Sequence, residues 1–135
     1  TAHATYFLAL AKKAETHLKT GEQKVWLPKL EQELSNLRSA FKWFLASRET
    51  EVEALRLYNA LARFWTTSSF IGEGRLWAKK ALERESSHIS SQHATLFHQA
   101  GTLAWLQGDY EEAHEHFQRA LQQWDTLADK RGKAR

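Results

Sequence analysis

Apolar residues fall at helical spacing in successive runs, and short polar or glycine-containing stretches separate the runs. In the first, Phe7, Leu10, Ala14 and Leu18 share one face, and Gly21 stands where a left-handed helix end is expected. Pro28 suits the first turn of a second helix, in which Leu27, Leu30, Leu34, Leu37, Phe41 and Phe44 step by three and four. That spacing is also a coiled-coil seam, but it lasts less than three heptads, so packing inside a bundle or solenoid is expected. Thr50 and Glu53 have capping-box spacing ahead of a third helix. Its stripe is Val52, Leu55, Tyr58 or Asn59, Ala62 and Trp65, and it runs to about Ser68. After a turn over 70–72, a fourth helix is predicted over 73–85, with Leu76, Trp77, Ala81 and Leu82 turned inward. Ser86 to Ser91 breaks the pattern. A fifth helix follows over 92–107 and stops at Gly108; a sixth starts with Asp109 as cap and Glu112 as its box partner, and ends near Ala128.

The later helices repeat at an offset of 39 residues, which places Ala62 opposite Gly101, Gly74 opposite Ala113 and Ala81 opposite Ala120. Leu57 with Leu96 and Leu82 with Leu121 match as well. Small residues at such places let antiparallel helices, and then successive pairs, approach closely. Ala78 against Phe117 and Trp65 against Ala104 read as compensating exchanges of size.

The segment Ala100-Gly101, Gly108-Asp109-Tyr110-Glu111-Glu112-Ala113, Phe117 and Ala120-Leu121 closely resembles the tetratricopeptide repeat consensus. Ala104 stands where that family usually has Tyr, and Asp125 where a Pro often closes the repeat. The resemblance implies an all-α, right-handed superhelix of about three antiparallel helix pairs. These would be a divergent pair over 4–48, a degenerate repeat over 52–85 and a consensus-like repeat over 92–128, with 129–135 starting a further repeat. Glu33 to Trp43, Gly72 to Trp77 and Asp129 to Arg135 also resemble the repeat arms of bacterial signal-transduction ATPases, many of them transcriptional activators. There the arm follows a nucleotide-binding core. The absence of Met and the start at Thr1 fit a piece of a longer protein.

Composition narrows the picture. With 42% hydrophobic residues, six Trp, seven Phe and one Pro in 135 residues, the chain has the apolar surface for a helical core and few turn formers for an all-β one. No Cys is present, which excludes disulfides and thiolate metal sites. No apolar run approaches the roughly 18 residues that span a bilayer, and a cytoplasmic setting without membrane contact is expected. The net charge of +3 comes from interspersed signs rather than a basic stripe, so direct nucleic-acid binding is not expected.

Chemistry is sparse. His114 and His116 are two apart on a helix and point to different faces, His93 and His98 are five apart, and no HExxH occurs; no metal is expected. Gly72-Glu73-Gly74 lacks the Lys-Ser/Thr tail of a phosphate loop, and no nucleophile set is present, so neither cofactor nor catalysis is expected. The acids Asp109, Glu111, Glu112 and Glu115 open a helix, where negative charge meets the dipole favourably. The resemblance places Asn59, Arg63 and Thr66, then His98, Thr102 and Trp105, along a concave groove, with Ala62, Gly74, Ala81, Gly101, Ala113, Phe117 and Ala120 as packing positions. Both groove triples are spaced four then three, so each forms a helical stripe. In the blander alternative Trp105 packs between helices and the polar residues are simply solvated. The implied function is a protein- or peptide-interaction and regulatory arm that binds a partner or another domain of its parent. The alternatives are a stand-alone scaffold or a helical repeat that contacts nucleic acid. Uncovered repeat ends are expected to favour pairing of copies.

Overall fold

The computed structural model describes residues 1–67, 69–83 and 90–133. Among the described residues the chain is all-α, with eight α-helices, one 3₁₀ turn and no strand. It divides into two compact units, Thr1–Phe70 and Ile71–Arg135, with the boundary inside the 52–85 segment.

The first unit starts with α1 (Ala2–Lys19), which Thr1 caps by accepting a hydrogen bond from the Ala4 amide. It ends as the sequence predicts. Gly21 has φ 89°, and the Glu22 amide donates back to the His17 carbonyl, the long bond of a Schellman cap. Helices α2 (Gln23–Gln32) and α3 (Leu34–Leu45) occupy the segment predicted as one helix. The Glu33 amide is shared between the carbonyls of Lys29 and Leu30, which tightens the backbone at that point without changing the side-chain period. Pro28 accordingly lies inside α2, not in its first turn. Leu30, Leu34, Leu37, Phe41 and Phe44 are nevertheless all buried.

A 3₁₀ turn over Arg48–Thr50, whose Glu49 amide donates to the Ser47 hydroxyl, leads into α4 (Glu51–Ala60) and α5 (Ala62–Thr67). The expected Thr50–Glu53 capping box does not form. The Thr50 hydroxyl donates instead to the Phe44 carbonyl at 2.6 Å, tying the start of α4 to the end of α3. Helix α1 packs on α2, α3 and α4, and α3 on α4. Leu18, Leu30, Leu37, Leu55, Leu57 and Tyr58 are fully buried, each Leu contributing about 1.5–3 kcal/mol over an exposed position.

The second unit comprises α6 (Ile71–Leu82), α7 (Ser91–Leu106) and α8 (Tyr110–Lys133). Gly74, Trp77, Ala78 and Ala81 form the buried face of α6, and the Trp77 indole donates to Glu73 at 3.0 Å. Leu76, expected to point inward, lies off that face and is 50% exposed. Ser90 caps α7 by accepting from the His93 amide, and Ser91, expected in the break, opens the helix; residues 86–89 of the predicted break lie outside the described residues. Helix α8 runs on past Ala128 to Lys133. No helix among the described residues is long and apolar enough to cross a membrane.

Burial also repeats at the 39-residue offset. Ala54, Leu55, Leu57, Leu61, Phe64 and Trp65 are buried, and so are His93, Ala94, Leu96, Ala100, Leu103 and Ala104. In the helices that follow, Gly74 and Ala81 are buried like Ala113 and Ala120.

Candidate interaction surface

The candidate surface lies on α7 and α8, and its geometry begins at the turn between them. Gly108 has φ 84°, its amide donates to Trp105 O, and the Asp109 amide donates to Ala104 O. This Schellman pair reverses the chain in three residues and sets α8 antiparallel along α7. The rings then meet in descending and ascending order. Trp105 lies 6.2 Å from Tyr110, His98 lies 5.5 Å from Phe117 and 6.0 Å from Trp124, and Phe97 lies 6.0 Å from His116. At Gly101 the Phe117 ring of α8 fills the space a Cβ would take.

The turn is held from outside by Arg75 of α6. Its guanidinium donates to Asp109 Oδ2 at 2.5 Å, to Gln107 Oε1 at 2.8 Å and to Glu112 Oε2. Burial works to lower the Arg75 pKa, but the hydrogen bonds and charges of Asp109 and Glu112 outweigh it and raise the pKa. The acids that open α8 therefore also anchor α6. Beside this clamp is a cavity of about 580 Å³, with Leu76, Lys79 and Leu82 of α6, Ala100 of α7 and His116 of α8 on its wall. Burial pushes the half-buried His116 imidazole down, against an upward pull from Glu112 and Glu115; Arg75 and Arg119 add to the lowering. Among the described residues no three His, Asp or Glu side chains gather into a metal-binding group.

The sequence-predicted groove residues fall into different surroundings. Asn59 of α4 is buried and so offers no exposed surface. Arg63 of α5 is exposed and accepts, through its carbonyl, the hydroxyl proton of half-buried Thr66. The break at Leu61 separates Asn59 from the other two. On α7, His98 is exposed, Thr102 is half-buried with its hydroxyl on the His98 carbonyl, and Trp105 is 55% exposed. This second triple borders the same open face as α8. Of the packing positions, Gly74, Ala81, Gly101, Ala113 and Ala120 are buried, while Ala62 and Phe117 are half-buried.

One further stripe is absent from the sequence-predicted sites. Tyr110, His114, Phe117, Leu121, Trp124 and Ala128 step by four, three, four, three and four along α8, the spacing of a helix-packing seam. Tyr110 is 63%, Leu121 60% and Trp124 40% exposed. The residues just before the seam positions turn to α7, with Ala113 and Ala120 buried and His116, Gln123 and Leu127 half-buried. The numbering alone carried this signal. The small residues Ala113 and Ala120 lie one position away and mark the other side of the helix.

Comparison with protein-family models, with curated proteins and with solved structures gives no match.

Proposed function

We propose that the chain is a non-catalytic interaction module of the tetratricopeptide type, and that it serves as the regulatory arm of a bacterial multidomain transcriptional activator or signal-transduction ATPase. The observation that carries the interaction reading is the row of large side chains left open on one side of the α7–α8 hairpin: Trp105, Tyr110, Leu121 and Trp124. Contiguous exposed apolar surface of this kind costs solubility and is characteristic of binding faces. The repeat reading draws on the burial pattern that recurs at 39 residues and on the close contact of Gly101 with Phe117. The partner is a protein, a peptide or another domain of the same parent. A ligand on this face biases the parent's resting and active states only by its difference in affinity for them.

Trp105 and its neighbours supply the test. The gene is replaced with one encoding His98→Ala, Thr102→Ala and Trp105→Ala, and transcripts are profiled. The variant is expected to keep its helical circular dichroism and to change the same transcripts as deletion of the whole segment. A profile identical to wild type would remove the regulatory-arm reading.

A further inference from the structure

We infer that the α8 seam receives an amphipathic α-helix that carries Lys or Arg along one edge. The inference rests on the interaction reading above and names the class of partner.

Three observations lead to it. First, the seam from Tyr110 to Ala128 has the four-three spacing that a second helix fills with its own apolar side chains, over nearly three heptads; Phe117 within it is half-buried against Gly101 of α7. Exposed Tyr110, Leu121 and Trp124 are the unfilled side of that packing. Second, one border of the seam is acidic throughout. The residue after each seam position is Glu111, Glu115, Gln118, Gln122, Asp125 or Asp129, all exposed, with four carboxylates, two amides and no cation. Third, Arg119 lies over the Phe97 ring, on the opposite side of α8. Glu111 with Glu115 and Asp125 with Asp129 are like-charge pairs four apart, an arrangement that destabilises a free helix. A basic edge on the incoming helix would turn those repulsions into attraction. The other border is formed by His98, Thr102 and Trp105 of α7, which carry no carboxylate. A second copy of α8 paired antiparallel would set one acidic border against another, so antiparallel self-pairing through this seam is disfavoured. The same border repels a phosphate backbone.

The test uses the full chain and three synthetic helices of about 21 residues, three heptads each. All carry Leu along the seam, and they differ only in having Lys, Glu or Gln along one edge. Binding is followed by calorimetry. The Lys-edged helix is expected to bind about tenfold or more tightly than the Glu-edged one at low salt, with the gap closing as salt is added. The quadruple variant Glu111→Lys, Glu115→Lys, Asp125→Lys and Asp129→Lys is expected to reverse the order, and Leu121→Glu to abolish binding, both with unchanged circular dichroism. Equal affinity for the Lys and Glu edges, an order that survives the charge reversal, preference for a DNA duplex, or no binding by any helix would each overturn the inference. If no helix binds while the Trp105 variant still alters transcription, only the partner class falls and the interaction reading stands.

Discussion

The ring of Phe117 occupies the space that a side chain on Gly101 would need: a Cβ there would lie 2.8 Å from both Cδ1 and Cε1 of the ring. The α7–α8 crossing is therefore set by the absence of one methyl group and the presence of one ring.

Gly101→Ala is expected to destabilise the chain by up to about 2 kcal/mol. The overpacking cost of roughly 1–3 kcal/mol outweighs a gain in helix propensity of about 1 kcal/mol. Urea unfolding measures it. Adding Phe117→Leu, which removes the ring's Cε1 and Cζ, is expected to recover part of the loss beyond additivity. Strict additivity would show that the two side chains are not coupled.

Arg75→Gln is expected to cost about 1 kcal/mol, because both carboxylate partners are about half exposed and solvent screens the pairs. The difference from wild type in thermal or urea unfolding should shrink toward about 1 M salt, where the screening length falls to roughly 3 Å. A salt-independent difference would mean that packing of the Arg75 stem, rather than its charge, holds α6.

Tyr58 is fully buried, and its hydroxyl has no hydrogen-bond partner among the described residues. Burial pushes the phenol pKa far above its ordinary value. Tyr58→Phe is expected to be neutral or stabilising by up to about 1 kcal/mol, since it removes an unsatisfied buried group while keeping the ring. Loss of more than about 1 kcal/mol in the same unfolding assay would reveal a bond to that hydroxyl.

The His116 imidazole binds its proton more weakly in the folded chain than in the unfolded one. Its contribution is fully present above the ordinary value of 6.5, shrinks as the pH falls through it, and stops changing below the lowered folded value. Stability measured against pH should therefore fall more steeply for wild type than for His116→Gln below pH 6.5. Parallel curves would remove His116 as the source.

The places where sequence and structure agree are those where one physical constraint dominates. Gly21 and Gly108 mark chain reversals because a left-handed residue with no side chain satisfies the helix end. The stripe from Leu30 to Phe44 was legible because burial alone sets its period. That same fact hid the break at Glu33, since sharing one amide between two carbonyls shifts the backbone and not the apolar spacing. The Thr50–Glu53 box does not form because the Thr50 side chain is turned to donate to the Phe44 carbonyl, away from the amides of the first turn of α4. The tetratricopeptide resemblance implies Asn59 as a groove residue in one stripe with Arg63 and Thr66, which needs an unbroken helix through Leu61. On α8 the open seam and the buried small residues run side by side, and hydrophobicity alone does not say which of two adjacent stripes meets the partner helix.

The turn at Gly108 bears on kinetics as well. Only Gln107, Gly108 and Asp109 separate α7 from α8, so Trp105 meets Tyr110 after closure of a very short loop, and each later contact lies one helical turn further from the bend. The hairpin can zip outward from its apex, the low-contact-order route to rapid folding. A ribosome releasing this chain would then present a formed α7–α8 pair soon after both helices had emerged.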